Sequence, residues 1–302
     1  MNPVAEATAA ILVVYHAASD PEPVIAQLAA SLGSVVVVDN TATGHPRLEA
    51  ATLPAGVRVL HNANAGALAG AYNRALEHLL GRPPGLQQVV LVDEDSDATV
   101  LQALLADAKV QALLADPHTA AVAPAYCDRA TGLRGKHIQL GRWRLRYLPR
   151  RFDGLQPVAF VINSMSVWRL AALQAIGPFD EGLRVDHVDT DYCLRARRAG
   201  LQVWLHGSHE FRHAIGERRR YRLFGRELQA GGHAPQRRYL IGRNTAWLGR
   251  RYLWREPAFA FLCLTRLAYE AVGIVMAEPQ RVAKLGALLR GMLVGLLSRR
   301  LG

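Results

Sequence analysis

Cysteine is scarce in this chain. Cys127, Cys193 and Cys263 stand far apart with no CxxC spacing. Neither a zinc site nor a disulfide framework is therefore expected, and a reducing compartment suits the sequence. Long hydrophobic runs are also missing. No run of about 18 uncharged apolar residues occurs, so no membrane span is expected. The first residues have neither the basic region nor the apolar core of a secretory signal. No internal repeat or long low-complexity tract appears, and the expected place is the cytoplasm. Acidic charge is in short supply: 36 Lys and Arg face 25 Asp and Glu, a net charge of +11. Most of the excess follows residue 130, in arginine clusters at 142–151, 195–198, 218–226 and 237–251. Such a skew suits a polyanionic partner: nucleic acid, anionic lipid or a phosphorylated substrate. Half of the 302 residues are apolar, which supplies a sizeable core and excludes global disorder.

The apolar residues come in short runs. Residues 11–15 read as a first strand, and 22–32 as a helix with Asp20 as N-cap and Pro21 at its first position. Residues 35–38 give a second strand ending in Asp39-Asn40. Residues 57–60 give a third, ending in His61-Asn62-Ala63-Asn64-Ala65-Gly66. A helix over 67–80, a strand over 89–92, a helix over 99–114 and a strand over 120–123 follow. This alternation predicts a mainly parallel sheet with helices on both faces. Ligands bind such sheets outside the carboxyl ends of the strands. Asp39, Asn64 with Gly66, and Asp93 with Asp95 all fall at such ends and would line one polar crevice. Each alone also reads as a turn residue.

Two acidic clusters carry the chemical argument. In Val89-Val90-Leu91-Val92-Asp93-Glu94-Asp95-Ser96-Asp97 a buried-strand pattern stops in carboxylates. Asp93 and Asp95, two apart in extended chain, share a face and would grip one divalent cation, with water and substrate phosphate completing its shell. The plainer reading makes Ser96 or Asp97 the cap of a helix starting near Ala98. The second cluster, Asp186-His187-Val188-Asp189-Thr190-Asp191, opens a helix that stops at Gly200. Capping and the helix dipole explain part of it. Asp189, in the first turn, is also placed as a general base must be.

Between and after the clusters lie a polar, basic middle (128–157) expected as loops or an irregular ribbon, a strand over 158–163 followed by Ser164, a helix over 168–176 and a strand over 202–205. The arginines at 142–151 interleave with Trp143 and Tyr147. Nucleic-acid binding is one reading of them, and a strand with arginines on its wet face is the preferred one. His206, His209 and His213 follow, then a helix over 236–253. The tail, 258–299, reads as two helices split by Pro279. Arg266 and Glu270 argue against spanning in the first. In the second, Val282, Leu285, Leu288, Leu289, Met292, Leu293 and Leu296 make a stripe among basic residues. That pattern suits an anionic membrane surface, the protein's own core, or a second copy of the chain.

The ordered set resembles the inverting family 2 glycosyltransferases of the GT-A fold, and within them the bacterial rhamnosyltransferase-like branch. The matching pieces are Val13-Val14-Tyr15, Val37-Val38-Asp39-Asn40, Asn64-Ala65-Gly66 with Asn73, Leu91-Val92-Asp93-Glu94-Asp95-Ser96, Ile176-Gly177-Pro178-Phe179-Asp180-Glu181, Asp186 to Ala196, His213 with Gly216, and Arg243-Asn244. The resemblance implies a GT-A domain over 1–235 and a helical extension over 236–302. It implies a nucleoside-diphosphate sugar as donor and a glycan, growing on a lipid carrier at the inner membrane face, as acceptor. Mg²⁺ or Mn²⁺ would lie on Asp93, Asp95 and His213. Asp189 would be the catalytic base. Tyr15, Asp39, Asn64, Gly66 and Asp93 would bind the nucleotide sugar, and Asp186, Asp191, Ser164 and Arg243 would meet acceptor or donor sugar. Galactofuranose, glucose or an amino sugar are alternatives to rhamnose. Asn163-Ser164-Met165-Ser166 departs from the branch, since bulky Met165 stands where a glycine is usual.

Overall fold

The computed structural model describes residues 3–16, 19–50, 52–81, 85–129, 131–213, 219–223 and 225–301. The chain begins with α1 (Pro3–Glu6), β1 (Thr8–Val14), α2 (Glu22–Ser31), β2 (Ser34–Asp39), α3 (Pro46–Ala50), β3 (Val57–His61), α4 (Ala67–Leu80) and β4 (Gln88–Asp93). Then come α5 (Val100–Ala106), α6 (Ala108–Ala115), β5 (Thr119–Asp128), β6 (Ile138–Leu140), β7 (Leu145–Tyr147), β8 (Leu155–Val158), β9 (Ser166–Arg169) and α7 (Leu170–Ile176). A 3₁₀ turn (Glu181–Leu183) precedes α8 (Val188–Arg198), β10 (Gln202–His213), β11 (Arg219–Leu223), β12 (Arg226–Ala230), α9 (Pro235–Tyr252), α10 (Pro257–Ala277) and α11 (Arg281–Leu297).

Contacts divide the chain into two compact units. The first is Met1–Ile138 with Leu148–Ala214, and the second is Gln139–Tyr147 with Ile215–Gly302. The first unit holds an eight-stranded sheet in the order β3-β2-β1-β4-β9-β5-β10-β8. The pairs among β3, β2, β1 and β4 are parallel, as is β5 with β10. Strands β9 and β8 pair antiparallel. Strand β1, the Val35–Val38 run and the Val89–Val92 run are almost wholly buried. A strand covered on both faces must be apolar without alternation, which is why these segments read as continuous runs. One face of the sheet packs against Ile25, Leu28, Leu101, Leu104 and Val110 of α2, α5 and α6.

Three local expectations are corrected. The helix over 99–114 is two helices, because Asp107 leaves the helical region and its carboxylate accepts from the amides of Lys109 and Val110 at the start of α6. The strand over 158–163 does not form. Strand β8 ends at Val158, and the central strand is the following segment, β9. Between them Met165 takes a left-handed φ of 62° and donates its amide to Leu91 O at 2.7 Å. Strand β9 was missed because polar residues bound it. Trp168 is fully buried, with Nε1 donating to Ser166 Oγ at 2.8 Å. Asp20 accepts from the Glu22 amide, but Pro21 occupies the N-cap of α2. The basic middle forms the β6–β7 hairpin, with Arg142 against the exposed Trp143 ring.

In the second unit α9, α10 and α11 meet through Ile241, Ala246, Leu267, Ile274 and Leu288. The buried Arg238 is paired with Glu270 and Glu278, and Lys284 Nζ lies 2.9 Å from Glu278 Oε2. Helix α10 is long and apolar enough to cross a membrane by length and composition. It passes because Arg266 and Glu270 are its only charges. Helices α9 and α11 touch backbone to backbone. A Cβ on Gly295 would lie 2.1 Å from Arg243 O, and one on Gly291 2.1 Å from Tyr239 O. Gly295→Ala should therefore destabilise the chain by about 1–3 kcal/mol, the range for overpacking. Gly286→Ala, whose Cβ meets nothing within 4 Å, should stabilise it by about 0.5–1 kcal/mol through helix propensity. Urea unfolding of the two variants checks both signs.

Candidate active site

Strand register brings the first acids together. Val14 pairs with Asp39 and Val13 with Asp93, so the two carboxylates flank the end of β1. Asp39 is buried. Its Oδ1 accepts from Thr41 N at 3.0 Å and Thr41 Oγ1 at 2.7 Å, and its Oδ2 from His45 N at 2.8 Å. His61 Nδ1 lies 3.2 Å from Oδ2. Burial would raise the pKa of Asp39, but these donors outweigh it and hold the carboxyl below its ordinary range. The acid thus organises the turn after β2.

The loop after β3 carries left-handed backbone at Ala63, Asn64, Gly66 and Ala67. Asn64 Oδ1 accepts from Asn40 Nδ2 at 3.3 Å, and Asn62 Nδ2 donates to Asn40 Oδ1 at 2.8 Å. Gly66 is required by more than its φ of 61°. A Cβ there would lie 2.5 Å from Glu181 Oε2 and 2.8 Å from Gly70 Cα. Glu181 is held in place by Asn73, whose Nδ2 donates to Glu181 Oε1 at 2.9 Å and whose Oδ1 accepts from Phe179 N at 2.7 Å. Two segments that are separate in sequence, Asn64–Asn73 and Gly177–Glu181, therefore form one framework.

The triplet after β4 divides its work. Glu94 is engaged by the chain that leaves β1: it accepts from Tyr15 N, His16 N and Ser19 Oγ, the last at 2.7 Å, and so fixes that segment. Tyr15 itself is half-exposed beside His16. Asp95 reaches His213, with Oδ1 to Nδ1 at 3.9 Å. Asp93, Asp95 and His213 each offer a ligand atom, and the three atoms lie within 4.8 Å of one another. His213 arrives there through a register shift. His206 pairs with Pro124 but Glu210 with Ala125, so residues 207–209 bulge out, and His213 comes opposite Asp128. Because β9 is antiparallel to both β4 and β5, this end of β10 lies on the same sheet edge as Asp93. Arg129 bridges the two, its Nη2 donating to Asp95 O at 3.1 Å and its amide to His213 O at 2.9 Å. Ser96 and Ser164, both buried, are hydrogen-bonded through their hydroxyls. Asp97 accepts from Thr99, ahead of α5.

The second cluster meets the first. His187 takes a left-handed φ of 70° as the N-cap of α8, which puts Asp189 in its first turn. Asp189 Oδ1 accepts from Thr190 N at 2.6 Å. Tyr72 of α4 donates to Asp93 Oδ1 at 3.3 Å. Burial first, then Asp95, and to a lesser degree Asp189 and Glu94 push the Asp93 pKa from 3.8 up to about 7. Burial, Asp93 and Asp189 likewise raise the Tyr72 phenol. Asp93, Asp95, Asp189, Tyr72 and His213 are thus one electrostatic group. Tyr72 was missed in the sequence because a Tyr among the alanines and leucines of α4 reads as core; only its hydroxyl on Asp93 sets it apart.

Other candidates differ. Asp186 lies half-buried ahead of α8. Asp191 is buried and lies 4.0 Å from Arg195 on its own helix. Arg243 is buried in the second unit, its Nε donating to Asn244 Oδ1 at 3.0 Å. Gly216 lies outside the described residues. Asp107, His206 and His209 also cluster, with both imidazole Nε2 atoms 3.2 Å from Asp107 Oδ2. His206 Nδ1 accepts from the amides of Ser208 and His209. Its Nε2 must then carry the proton, so it donates to Asp107, and the bulge of β10 is clasped to the start of α6.

No family model matches the chain. The dTDP-rhamnosyl transferase RfbF of Shigella flexneri is 25% identical over 219 residues, covering 72% of this chain and 71% of that protein. Among solved structures the chain is similar to GalNAc-T7 with UDP, GalNAc and Mn²⁺, with a TM-score of 0.46 and 13% identity over 79% of this chain and 48% of that one. It is also similar to residues 1–349 of S. aureus TarS, with a TM-score of 0.45 and 15% identity over 94% and 71%. The sheet order and the acids gathered at its carboxyl edge agree with the arrangement expected of a GT-A glycosyltransferase, and over most of its length the chain is similar to the Shigella rhamnosyl transferase.

Proposed function

We propose that this transferase moves a sugar from a nucleoside-diphosphate donor to a hydroxyl of a glycan acceptor with inversion at C1, in the synthesis of a cell-surface polysaccharide. Rhamnose on dTDP is the donor group we favour, by similarity to the Shigella protein. A glycan on a lipid carrier is the acceptor. The observation that carries the reading is that Asp189 lies close enough to Asp93 for its charge to act on that carboxyl. A base and a donor-binding acid must both be near the reacting carbon, and these two carboxylates approach one another from elements distant in sequence.

Asp189 takes the proton of the acceptor hydroxyl while the oxygen attacks C1 from the face opposite the diphosphate. The C1–O bond to the diphosphate breaks with its electron pair, and one displacement inverts the centre. Asp39 and the Asn64–Gly66 loop border the nucleoside, with Tyr15 at the mouth. Two carboxylates and an imidazole with ligand atoms within 4.8 Å suit Mg²⁺ or Mn²⁺. Such a cation, when bound, supplies Lewis-acid charge to the departing diphosphate. Tyr72 orients Asp93 by its hydrogen bond.

Asp189→Asn should lower transfer about 10²–10⁴-fold, the usual worth of a general base, and leave donor affinity near wild type. Radiolabelled transfer and calorimetry separate the two effects; near-normal turnover would falsify the assignment. Asp95→Ala and His213→Ala should each abolish the dependence of donor affinity on divalent metal, read by titration with and without Mn²⁺. For Asp93 the sign runs toward acid. Its folded pKa of about 7 lies above the ordinary 3.8, so its ionisation destabilises the metal-free fold increasingly from about pH 4 and fully above about pH 7. Asp93→Asn should therefore raise the melting temperature of the metal-free chain more at pH 8 than at pH 5. An equal effect at both values counts against a crowded carboxylate. A panel of nucleotide sugars decides the donor, with protection by dTDP-rhamnose expected above galactofuranose and glucose donors.

A further inference from the structure

The second unit leaves a wide apolar surface uncovered. Helix α10 buries the side bearing Cys263, Leu267 and Ile274 and exposes Phe261, Leu264, Val272 and Val275. Those four recur at helical spacing and form a stripe of their own. Helix α11 does the same. Leu285, Leu288 and Met292 turn into the bundle, while Val282, Leu289, Leu293 and Leu296 stay open, Leu293 at 58% and Val282 at 88% exposure. The single stripe read in the sequence is therefore split, one edge packed and the other free. Aromatic rings stand at one end. Trp254 is 83% and Trp143 71% exposed. The turn carrying Trp143 abuts the start of α10, where Ala258 N donates to Arg142 O at 3.2 Å.

Charge decides what covers this surface. Residues 235–302 hold eleven arginines and one lysine against three glutamates, a net +9 of the chain's +11. Glu270 and Glu278 are engaged by Arg238 and Lys284 inside the bundle. Arg281, Arg290, Arg299 and Arg300 are exposed on or just beyond α11. A second copy docking through the same face would set one strongly positive surface against another. Spanning by α10 would bury Arg266 and Glu270 in hydrocarbon. A lipid surface of negative charge meets all three features: open leucines and valines, interfacial tryptophans and a cationic margin.

We infer that the exposed faces of α10 and α11 seat this protein on an anionic membrane surface, without crossing it. The inference is independent of the donor chemistry. The test is co-sedimentation of the full chain with vesicles of phosphatidylcholine, alone or mixed with phosphatidylglycerol, at low and high salt. Binding is expected to the mixed vesicles only, and to be reversed by salt. Leu293→Asp should weaken it about tenfold or more. Arg299→Glu with Arg300→Glu should weaken it about fivefold or more per residue. All variants should keep the wild-type melting temperature and donor affinity, which shows that the fold and the acid site are intact. Equal binding to neutral vesicles, or none to either, overturns the proposal. So does pelleting that survives alkaline carbonate, which indicates spanning. Dimerisation in solution that Leu293→Asp abolishes, with no lipid binding, assigns the face to a second copy and overturns it as well.

Discussion

Repulsion among carboxylates held at one edge of a sheet is the constraint around which the first unit is arranged. Parallel strands covered on both faces must be apolar along their length, so polar side chains accumulate where the strands end. Here Asp39 and Asp93 flank the last residues of β1, and Asp95 and Asp189 close in on Asp93. Each acid is then managed differently. Asp39 is given amide and hydroxyl donors and stays ionised. Asp93 is crowded by burial and by like charge, with one phenol donating to it, and its pKa rises to about 7. A site that is short of positive charge in this way is chemically suited to a bound cation.

The surroundings show how that crowding is kept in place. Glu94 is pulled back by three donors from the chain after β1. Asn73 and Glu181 lock the loop at Gly66 to the segment before α8, so the helix bearing Asp189 is referenced to the helix bearing Tyr72. The bulge at residues 207–209 sets the phase of β10, and the Asp107 clasp on His206 and His209 holds that bulge. A shift of one residue there would turn His213 to the other face of the sheet. The second unit follows a different logic: glycines let α9 and α11 approach, a buried ion cluster fixes the bundle, and the remaining apolar surface faces outward.

Much of this was legible in the chain. The valine runs of β1, β2 and β4 announce buried strands because nothing polar interrupts them, and the acids that end them mark the carboxyl edge. Strand β9 was not legible. Its four residues, Ser166 to Arg169, depend on partners on both sides, and the apolar run before it suggested a strand where a left-handed Met165 makes a turn instead. The break at Asp107 was hidden for a similar reason, since an acid within an apolar helical pattern reads as a solvated face until its carboxylate is seen capping the next helix.

What the sequence determined by itself was the alternation of elements, the two acid clusters and the excess of arginine toward the carboxyl end, because these follow from local composition and period. Only the tertiary structure decided which acids meet, that Tyr72 joins them, that Asp191 and Arg243 are buried, and which leucines of α11 remain uncovered. Those outcomes depend on strand register and helix phase, and both are set by contacts between residues far apart in the chain.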